Sequence, residues 1–436
     1  AGTPARIPIV AVTGTNGKTT TVRMIAHILK LMGRRVGMTS TDGIVIDGRL
    51  IKKGDMSGPK SAQMVLQNPT IDMAVFEVAR GGIVREGLGY DRNDVAVVTN
   101  VTGDHLGLGG IDTVRQLASV KSVLVDAVPK TGTAVLNADD PLVARMARAA
   151  EGRVVYFSMA TEKGSEGWDR VDSHCGRGGA AFALQPAADG ELIVLRLGPR
   201  TMPVLYTHLV PATFGGKARM NVANALAAAA AAWAAGAHLH DIRQGLRTFT
   251  TSFFQAPGRL NLVEQGGVRF IIDYSHNVDG MRQLADFVRR MVEPAPAKGG
   301  AAGHRGRAIG VIGIPGDRRD ADQHDYGYLA AGAFDEIYVR EDRHLRGRKP
   351  GESAENVVRG ARAARAKGES VTTKVDKILD EMAAVRTAIR RAVPGDLVVC
   401  CVDDAVGVYR LANELLGVPG DASAISDPGE LDAPVG

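Results

Sequence analysis

The segment GTNGKTTT, Gly14 to Thr21, follows directly on the apolar run Ile7-Pro8-Ile9-Val10-Ala11-Val12. This placement constrains the chain more than any other feature. An apolar strand, a Gly-rich turn and a helix start together form a cradle for phosphate. Backbone N–H groups of the turn and of the helix N-terminus face the anion, and Gly14 and Gly17 let the backbone approach it. Thr15, Asn16 and Thr20 complete the loop. Lys18 is expected to reach the β- and γ-phosphates of ATP, and the Thr19 hydroxyl to bind Mg²⁺. The apolar positions Val22, Ile25, Ala26 and Leu29 predict the helix that follows. A strict G-x-x-x-x-G-K-[ST] loop begins with glycine, and Val12 stands there instead.

With 436 residues the chain has room for two or three domains with cores of their own. An apolar fraction of 45% and a charged fraction of 23% are those of a soluble globular protein. The net charge of +5 is a small excess, and no Lys/Arg run carries interleaved aromatics, which argues against nucleic acid. A mildly basic surface would still help to attract an anionic nucleotide or an acidic acceptor. Cys175, Cys400 and Cys401 make neither a disulfide framework nor a zinc spacing. Cys400 and Cys401 sit in the apolar run Leu397 to Val402 and are expected to be buried free thiols. The Ala-rich segment Ala225 to Ala237 is too short and too weakly apolar to span a bilayer. The expected setting is cytoplasmic and reducing. The first residue is Ala and the first core strand starts within ten residues, so the chain is expected to be the C-terminal portion of something longer.

Residues 7 to about 236 alternate between strand and helix patterns, which predicts an α/β unit with a mostly parallel sheet. Its strand candidates are Ile7–Val12, Met73–Phe76, Val95–Val98 and Ala134–Leu136. A more Gly-rich stretch, about 156 to 210, reads as a small antiparallel insertion. A long Ala-rich helix is expected over Asn221–Ala235. A break falls at TTSFFQAPG, Thr250 to Gly258. Beyond it a second, Rossmann-like α/β unit is expected. Its strands are Phe270–Asp273, Ala308–Ile312, Glu336–Val339 and Leu397–Val402, with helices at Asp279–Val292, Ser353–Lys367 and Met382–Ala392. The predicted division is 1–256, 257–417 and a disordered tail, 418–436. The segment Pro294 to Arg307 reads as a mobile loop.

Strand Met73–Phe76 runs into Glu77, and strand Val95–Val98 runs into NVTGDHL, which carries Asp104 and His105. Groups just past the carboxyl ends of parallel strands line the ligand crevice, so Glu77 and His105 belong on the edge of the phosphate loop. With Thr19 they form a candidate Mg²⁺ set. Asp104 is placed to orient His105.

The order GTNGKTTT, Glu77, NVTGDHL, NADDP (Asn137 to Pro141), NVANALAA (Asn221 to Ala228), APGR (Ala256 to Arg259) and IDYSHN (Ile272 to Asn277) resembles the Mur ligase superfamily over about residues 7 to 415. The resemblance implies a P-loop central domain and a C-terminal domain. It also implies Glu77 and His105 as magnesium ligands, Asn221 and Asn224 near the adenine, and Arg259 near the γ-phosphate. Asp273 and His276 would lie near the ribose. Lys121 stands where many of these ligases carry a carbamylated lysine, or it is a plain surface lysine.

Within the superfamily, five segments look like one branch. They are DMSGPKSAQMVL (Asp55 to Leu66), EVARGGIVREGLGYDR (Glu77 to Arg92), DHLGLGGIDT (Asp104 to Thr113), PGDRRD (Pro315 to Asp320) and EDRHLRGRKPGE (Glu341 to Glu352). In that branch the ligase half follows an ATP-grasp half and adds L-arginine to side-chain carboxylates of a poly-aspartate backbone. Its members are generally oligomeric. By that resemblance Glu341 and Asp342 would pair with the guanidinium, and Arg346, Arg348 or Lys349 would hold the α-carboxylate. Arg80, Arg85 and Arg92 would meet the acceptor. Two positions depart from the pattern: Lys60 replaces an aromatic residue and Val278 replaces a proline. The alternatives are a ligase for a cell-wall peptide or folylpolyglutamate, a plain P-loop NTPase, and a non-catalytic polymer-binding half.

Overall fold

A computed structural model describes residues 6–107, 109–293 and 305–417. The tail 418–436, and all of the expected mobile loop up to residue 304, lie outside the described residues. The chain divides into two compact units, Ala1–Thr250 and Thr251–Gly436.

In the first unit the described strands are β1 (Ile9–Thr13), β2 (Val36–Ser40), β3 (Gly43–Ile46), β4 (Arg49–Lys53), β5 (Met73–Glu77), β6 (Val95–Val98), β7 (Thr133–Asn137), β8 (Arg153–Ser158), β9 (Ala180–Ala187), β10 (Gly190–Leu197) and β11 (Arg200–Tyr206). They form one sheet in the order β11-β10-β9-β8-β7-β6-β1-β5-β2-β3-β4. From β2 across to β9 every pair is parallel. The central strands are buried on both faces and therefore read as unbroken apolar runs. The antiparallel strands β9 to β11 extend this sheet at one edge rather than folding apart from it. The hairpin β2-β3-β4 at the other edge escaped the sequence reading. All of β4, with its sequence RLIKK, is exposed, so apolar patterning gives it no signal.

The helix Lys18–Leu31 buries Val22, Met24, Ile25, Ile28 and Leu29. Burying each such side chain contributes about 1.5–3 kcal/mol. The Ala-rich helix Arg219–Ala234 is buried all round, with Ala225 to Ala232 fully covered. Alanine favours the helix and adds no side-chain bulk, so this helix can sit deep in the unit.

The second unit has strands β12 (Asn261–Gln265), β13 (Val268–Asp273), β14 (Ala308–Ile312), β15 (Glu336–Val339), β16 (Lys374–Lys377) and β17 (Leu397–Cys401). Their order is β12-β13-β17-β14-β15-β16, and only β12 runs antiparallel to its neighbour. Phe270, Ile272, Ile309, Val311, Val398 and Cys400 share the core of this unit. Cys400 and Cys401 are free and buried, as their apolar run predicts, and Cys175 is free and buried as well. The strand starts are stapled by ion pairs. Arg307 reaches Glu336 at 2.7 Å and Asp396 at 2.6 Å, and Arg391 reaches Glu336 at 2.6 Å. Arg391 and the Tyr338 hydroxyl lower the Glu336 pKa against the effect of its burial. Val278 opens the helix Val278–Val292, whose N-cap Asn277 accepts from Gly280 N at 2.7 Å. That first helical position suits proline, which explains why Val278 can take its place without loss of the helix.

Candidate active site

The register sets the first unit's site. Val12 pairs with Glu77 and Thr13 with Val98, so the ends of β1, β5 and β6 form one rim. Val12 is fully buried in β1. The strand therefore runs through the position where a strict phosphate loop has its first glycine, and the turn begins at Gly14.

The loop is held mostly by backbone and short polar groups. Thr15 N donates to Asn100 O at 2.9 Å, and Asn16 N to Asn100 Oδ1 at 2.9 Å. Thr99 Oγ1 donates to Asn16 O at 2.7 Å, and Thr102 N to Thr15 Oγ1 at 3.0 Å. Gly14 and Gly17 are needed for a steric reason. A Cβ on Gly14 would lie 1.8 Å from Thr99 Oγ1, and one on Gly17 2.3 Å from Asn224 Oδ1. Gly17, with φ of +84°, is the N-cap of the helix Lys18–Leu31, so its backbone also favours glycine. Lys18 Nζ rests on Thr15 O at 2.9 Å.

Thr19 Oγ1 donates to Glu77 Oε2 at 2.9 Å, and Thr41 N to the same oxygen at 3.2 Å. Glu77 is 2% exposed. A carboxylate this deep beside a hydroxyl at a helix N-terminus suits a hard cation. Among the described residues no three His, Cys, Asp or Glu side chains form a metal cage. Mg²⁺ fits such a setting, since it keeps waters and phosphate oxygens beside one or two protein groups. His105 adopts a left-handed backbone, φ +54°. Its N donates to Asp104 Oδ1 at 2.9 Å, and its Nε2 lies 3.8 Å from Asp104 Oδ2. Arg80 Nη1 donates to His105 O at 3.1 Å. Arg85 is exposed on the same short helix, Arg80–Glu86.

Lys121 is not a surface residue. It is 3% exposed and its Nζ donates to Gly14 O at 2.8 Å. Burial, then the neighbouring Lys18, push its pKa well below the usual lysine range, with Arg80 adding to this and Asp104 opposing it. Asn221 and Asn224 are buried too. Asn221 Nδ2 donates to Ala212 O at 2.7 Å, Asn224 Nδ2 to Asn221 Oδ1 at 3.1 Å, and Thr21 Oγ1 to Asn224 Oδ1 at 3.4 Å. These contacts tie the Ala-rich helix to the loop. Sequence reasoning had not singled out Thr99, Asn100, Thr102, Asn137 or Asp140 as site residues. Asn137 Nδ2 donates to Thr99 O at 2.8 Å, and Asp140 Oδ2 accepts Val101 N at 2.7 Å. Their signal was the short polar residues just past the ends of β6 and β7.

The second unit gathers its candidates at the carboxyl ends of its strands. The Arg259 guanidinium lies 5.0 Å from the centre of the Tyr274 ring. Asp273 Oδ2 accepts Leu260 N at 3.1 Å. Burial raises the Asp273 pKa against the pull of Arg259 and of backbone N–H groups. His276 Nδ1 donates to Tyr274 O at 2.8 Å, with the two rings 4.9 Å apart. Arg259, Asp273 and His276 thus meet around Tyr274.

The charged loop after β15 is occupied with its own structure. Glu341 is 8% exposed, and its oxygens accept Gly351 N at 2.7 Å and Ala354 N at 3.1 Å. Asp342 pairs with the buried Arg340. Arg346 pairs with Asp317 at 2.9 Å. Arg348 reaches Gly316 O at 2.6 Å, Arg318 O at 2.7 Å and Asp320 at 2.7 Å. Lys60, on the acceptor-side segment of the first unit, is a surface residue 3.6 Å from Glu86.

The Mur ligase middle domain family matches residues 12–232, and the Mur ligase glutamate ligase domain family matches residues 258–401. The chain belongs to the Mur ligase family, whose members are ATP-dependent amide ligases. Within it, the chain is similar to cyanophycin synthetases. It is 46% identical to that of Synechocystis over 91% of this chain and 42% of the relative. It is 43% identical to that of Crocosphaera subtropica over 94% of this chain and 44% of the relative. The chain thus spans less than half the length of these relatives. In fold it is similar to a bifunctional folylpolyglutamate synthase/dihydrofolate synthase with Mn, AMPPNP and L-glutamate bound. That likeness has a TM-score of 0.64 at 22% identity and covers 94% of this chain and 89% of the other. Among the described residues no helix is long and apolar enough to cross a membrane.

Proposed function

We propose that this chain is the arginine-adding ligase half of a cyanophycin synthetase. It would join L-arginine to the side-chain carboxylate of aspartate on a poly-aspartate backbone. The observation that carries this reading is the cradle at Gly14–Thr19 with Glu77 set into it, on a chain similar to cyanophycin synthetases along nearly all its length. An ATP-grasp half preceding the chain, and an oligomeric assembly, belong to the same proposal.

A free carboxylate acylates poorly and must first become a better electrophile. In the first step a carboxylate oxygen of the acceptor attacks the γ-phosphorus of ATP, the bond to the β-bridging oxygen breaks, and ADP leaves. In the second, the arginine α-amine attacks the acyl phosphate carbon, phosphate departs, and the amine gives up a proton. Two anions meet in the first step, so concentrated positive charge is what the site has to supply. Lys18, Arg259 and the loop amides are assigned that work, with Arg80 and Arg85 on the acceptor. Thr19 and Glu77 would hold Mg²⁺, with His105 as a further ligand, and the ion would neutralise phosphate charge. Asn221 and Asn224 are assigned to the adenine end, and Asp273 and His276 to the ribose. Lys121, held toward its neutral form, has the nucleophilic amine that carbamylation requires.

The test is ADP release from Mg²⁺-ATP with a short poly-aspartate primer and each amino acid added singly. Turnover with arginine alone, and a product heavier by one arginine residue, is the expected result. ATP hydrolysis indifferent to any amine would replace this reading with that of a plain NTPase.

A further inference from the structure

An arginine-adding ligase must recognise a guanidinium, and the two acids that sequence offers for it are engaged elsewhere. Both oxygens of Glu341 take backbone N–H groups at the start of the helix Glu352–Ala366. Asp342 is paired with Arg340. The other acids near the same strand ends are committed as well. Asp317 pairs with Arg318 and Arg346, Asp320 with Arg348, and Asp404 with Arg343 while it caps Gly407 N. Asp273 accepts Leu260 N beside Arg259.

Asp403 differs from all of them. It is exposed, and among the described residues its carboxylate accepts no hydrogen bond and forms no ion pair. It is nevertheless held in a defined place. Its backbone N donates to Glu381 Oε2 at 2.7 Å, and Asp404 N donates to Glu381 Oε1 at 3.0 Å. Glu381 is itself fixed by the buried Arg340, whose Nε lies 3.3 Å away and whose guanidinium also donates to Cys401 O. Strand register sets what Asp403 faces. Asp273 pairs with Cys401, and Val402 N donates to Asp273 O at 2.9 Å, so Asp403 emerges beside Tyr274. The field of Asp403 is felt at the Tyr274 hydroxyl, as are those of Arg259 and Arg346.

The geometry points to Asp403 as the residue that selects arginine, by pairing its carboxylate with the substrate's guanidinium. This rests on the ligase reading above. A carboxylate on a rigid backbone with no internal partner meets a planar cation without first breaking another bond, and the pairing can be bidentate. Arg340 and Glu381 act as positioning residues for that carboxylate.

The experiment measures arginine-dependent ADP release by this chain and by Asp403→Asn, with L-citrulline as the neutral isostere of the substrate. In Asp403→Asn the KM for arginine is expected to rise about ten- to a hundredfold, the range of a hydrogen bond to a charged group. The preference for arginine over citrulline should narrow by a similar factor, with the KM for ATP unchanged. Asp403→Glu, which keeps the charge, should recover part of the preference. An unchanged arginine KM and an unchanged preference in Asp403→Asn would overturn the inference and leave the ligase reading standing. No arginine-dependent turnover by the parent chain would overturn both.

Discussion

Around the phosphate loop of the first unit, the Thr15, Asn16, Thr99 and Asn100 contacts involve no charged side chain. At the strand ends of the second unit the corresponding work falls to Arg340, Glu381, Asp342, Asp317 and Arg348. On the proposed function, the difference follows from what each rim would bind. A loop that receives a polyanion presents N–H groups, and the carboxylate set into it suits a cation. A rim that reads an amino acid needs fixed charge of both signs, and fixed charge at a surface must be anchored by other charge. The first plan is stiff because glycine leaves no room, and the second because its ion pairs interlock.

Four changes would break or sharpen this contrast. Lys18→Ala removes the loop's one cation and should lower kcat by more than the ~10²–10³ of a single oxyanion donor, while the circular dichroism spectrum stays as it was. Arg340→Met strips the second rim of its hub and leaves Glu381 and Asp342 without their shared cation. Urea unfolding should show a loss of about 3–5 kcal/mol, as for breaking one side of a buried pair. A loss below 1 kcal/mol would mean that the ion pairs decorate the rim rather than hold it.

Gly17→Ala drives a methyl toward Asn224 Oδ1 and imposes a positive φ on alanine. About 1–3 kcal/mol of stability should go, with weaker binding of Mg²⁺-AMPPNP by calorimetry. Asn224→Ala in the same chain should return the packing part of that loss, and strict additivity of the two would show that they are not in contact. The smallest effect concerns Lys121. Its pKa is depressed in the folded state, so between that value and the ordinary lysine pKa the unfolded chain binds more protons, and stability rises with pH. Lys121→Met removes this slope. The stability of the wild-type chain relative to the variant should therefore improve from neutral pH toward pH ~10. A gap constant with pH would mean the amine is charged in the fold, or already modified.

Much of the first rim was legible in the sequence because its constraints are local. Gly14, Gly17, Lys18 and Thr19 lie on one short loop, and Glu77 follows an apolar strand directly. The second rim was legible only in its composition. Glu341 and Asp342 could be recognised as acids on a strand-end loop, but not as acids already engaged, because their partners Gly351, Ala354 and Arg340 are fixed by tertiary folding. Lys121 shows the same limit from the other side. Its neighbours in sequence suggest a helix surface, and only the packing of the helix Val114–Asp126 sends its amine under Gly14. Among the strands missed, β4 and β16 lie at sheet edges, where little or no apolar run marks them.

The fit of Gly17 against Asn224 has a consequence for the order in which this chain can be made. Thr21, next to the loop, and Asn224 are separated by 203 positions, yet they touch. During synthesis the loop leaves the ribosome well before its lock, at ~5–20 residues per second. For roughly ten to forty seconds at that rate the nascent chain carries a phosphate loop without the side chain that packs against it. Nucleotide present in that interval would meet a looser loop, so tight binding of ATP should appear only after the Ala-rich helix has been translated.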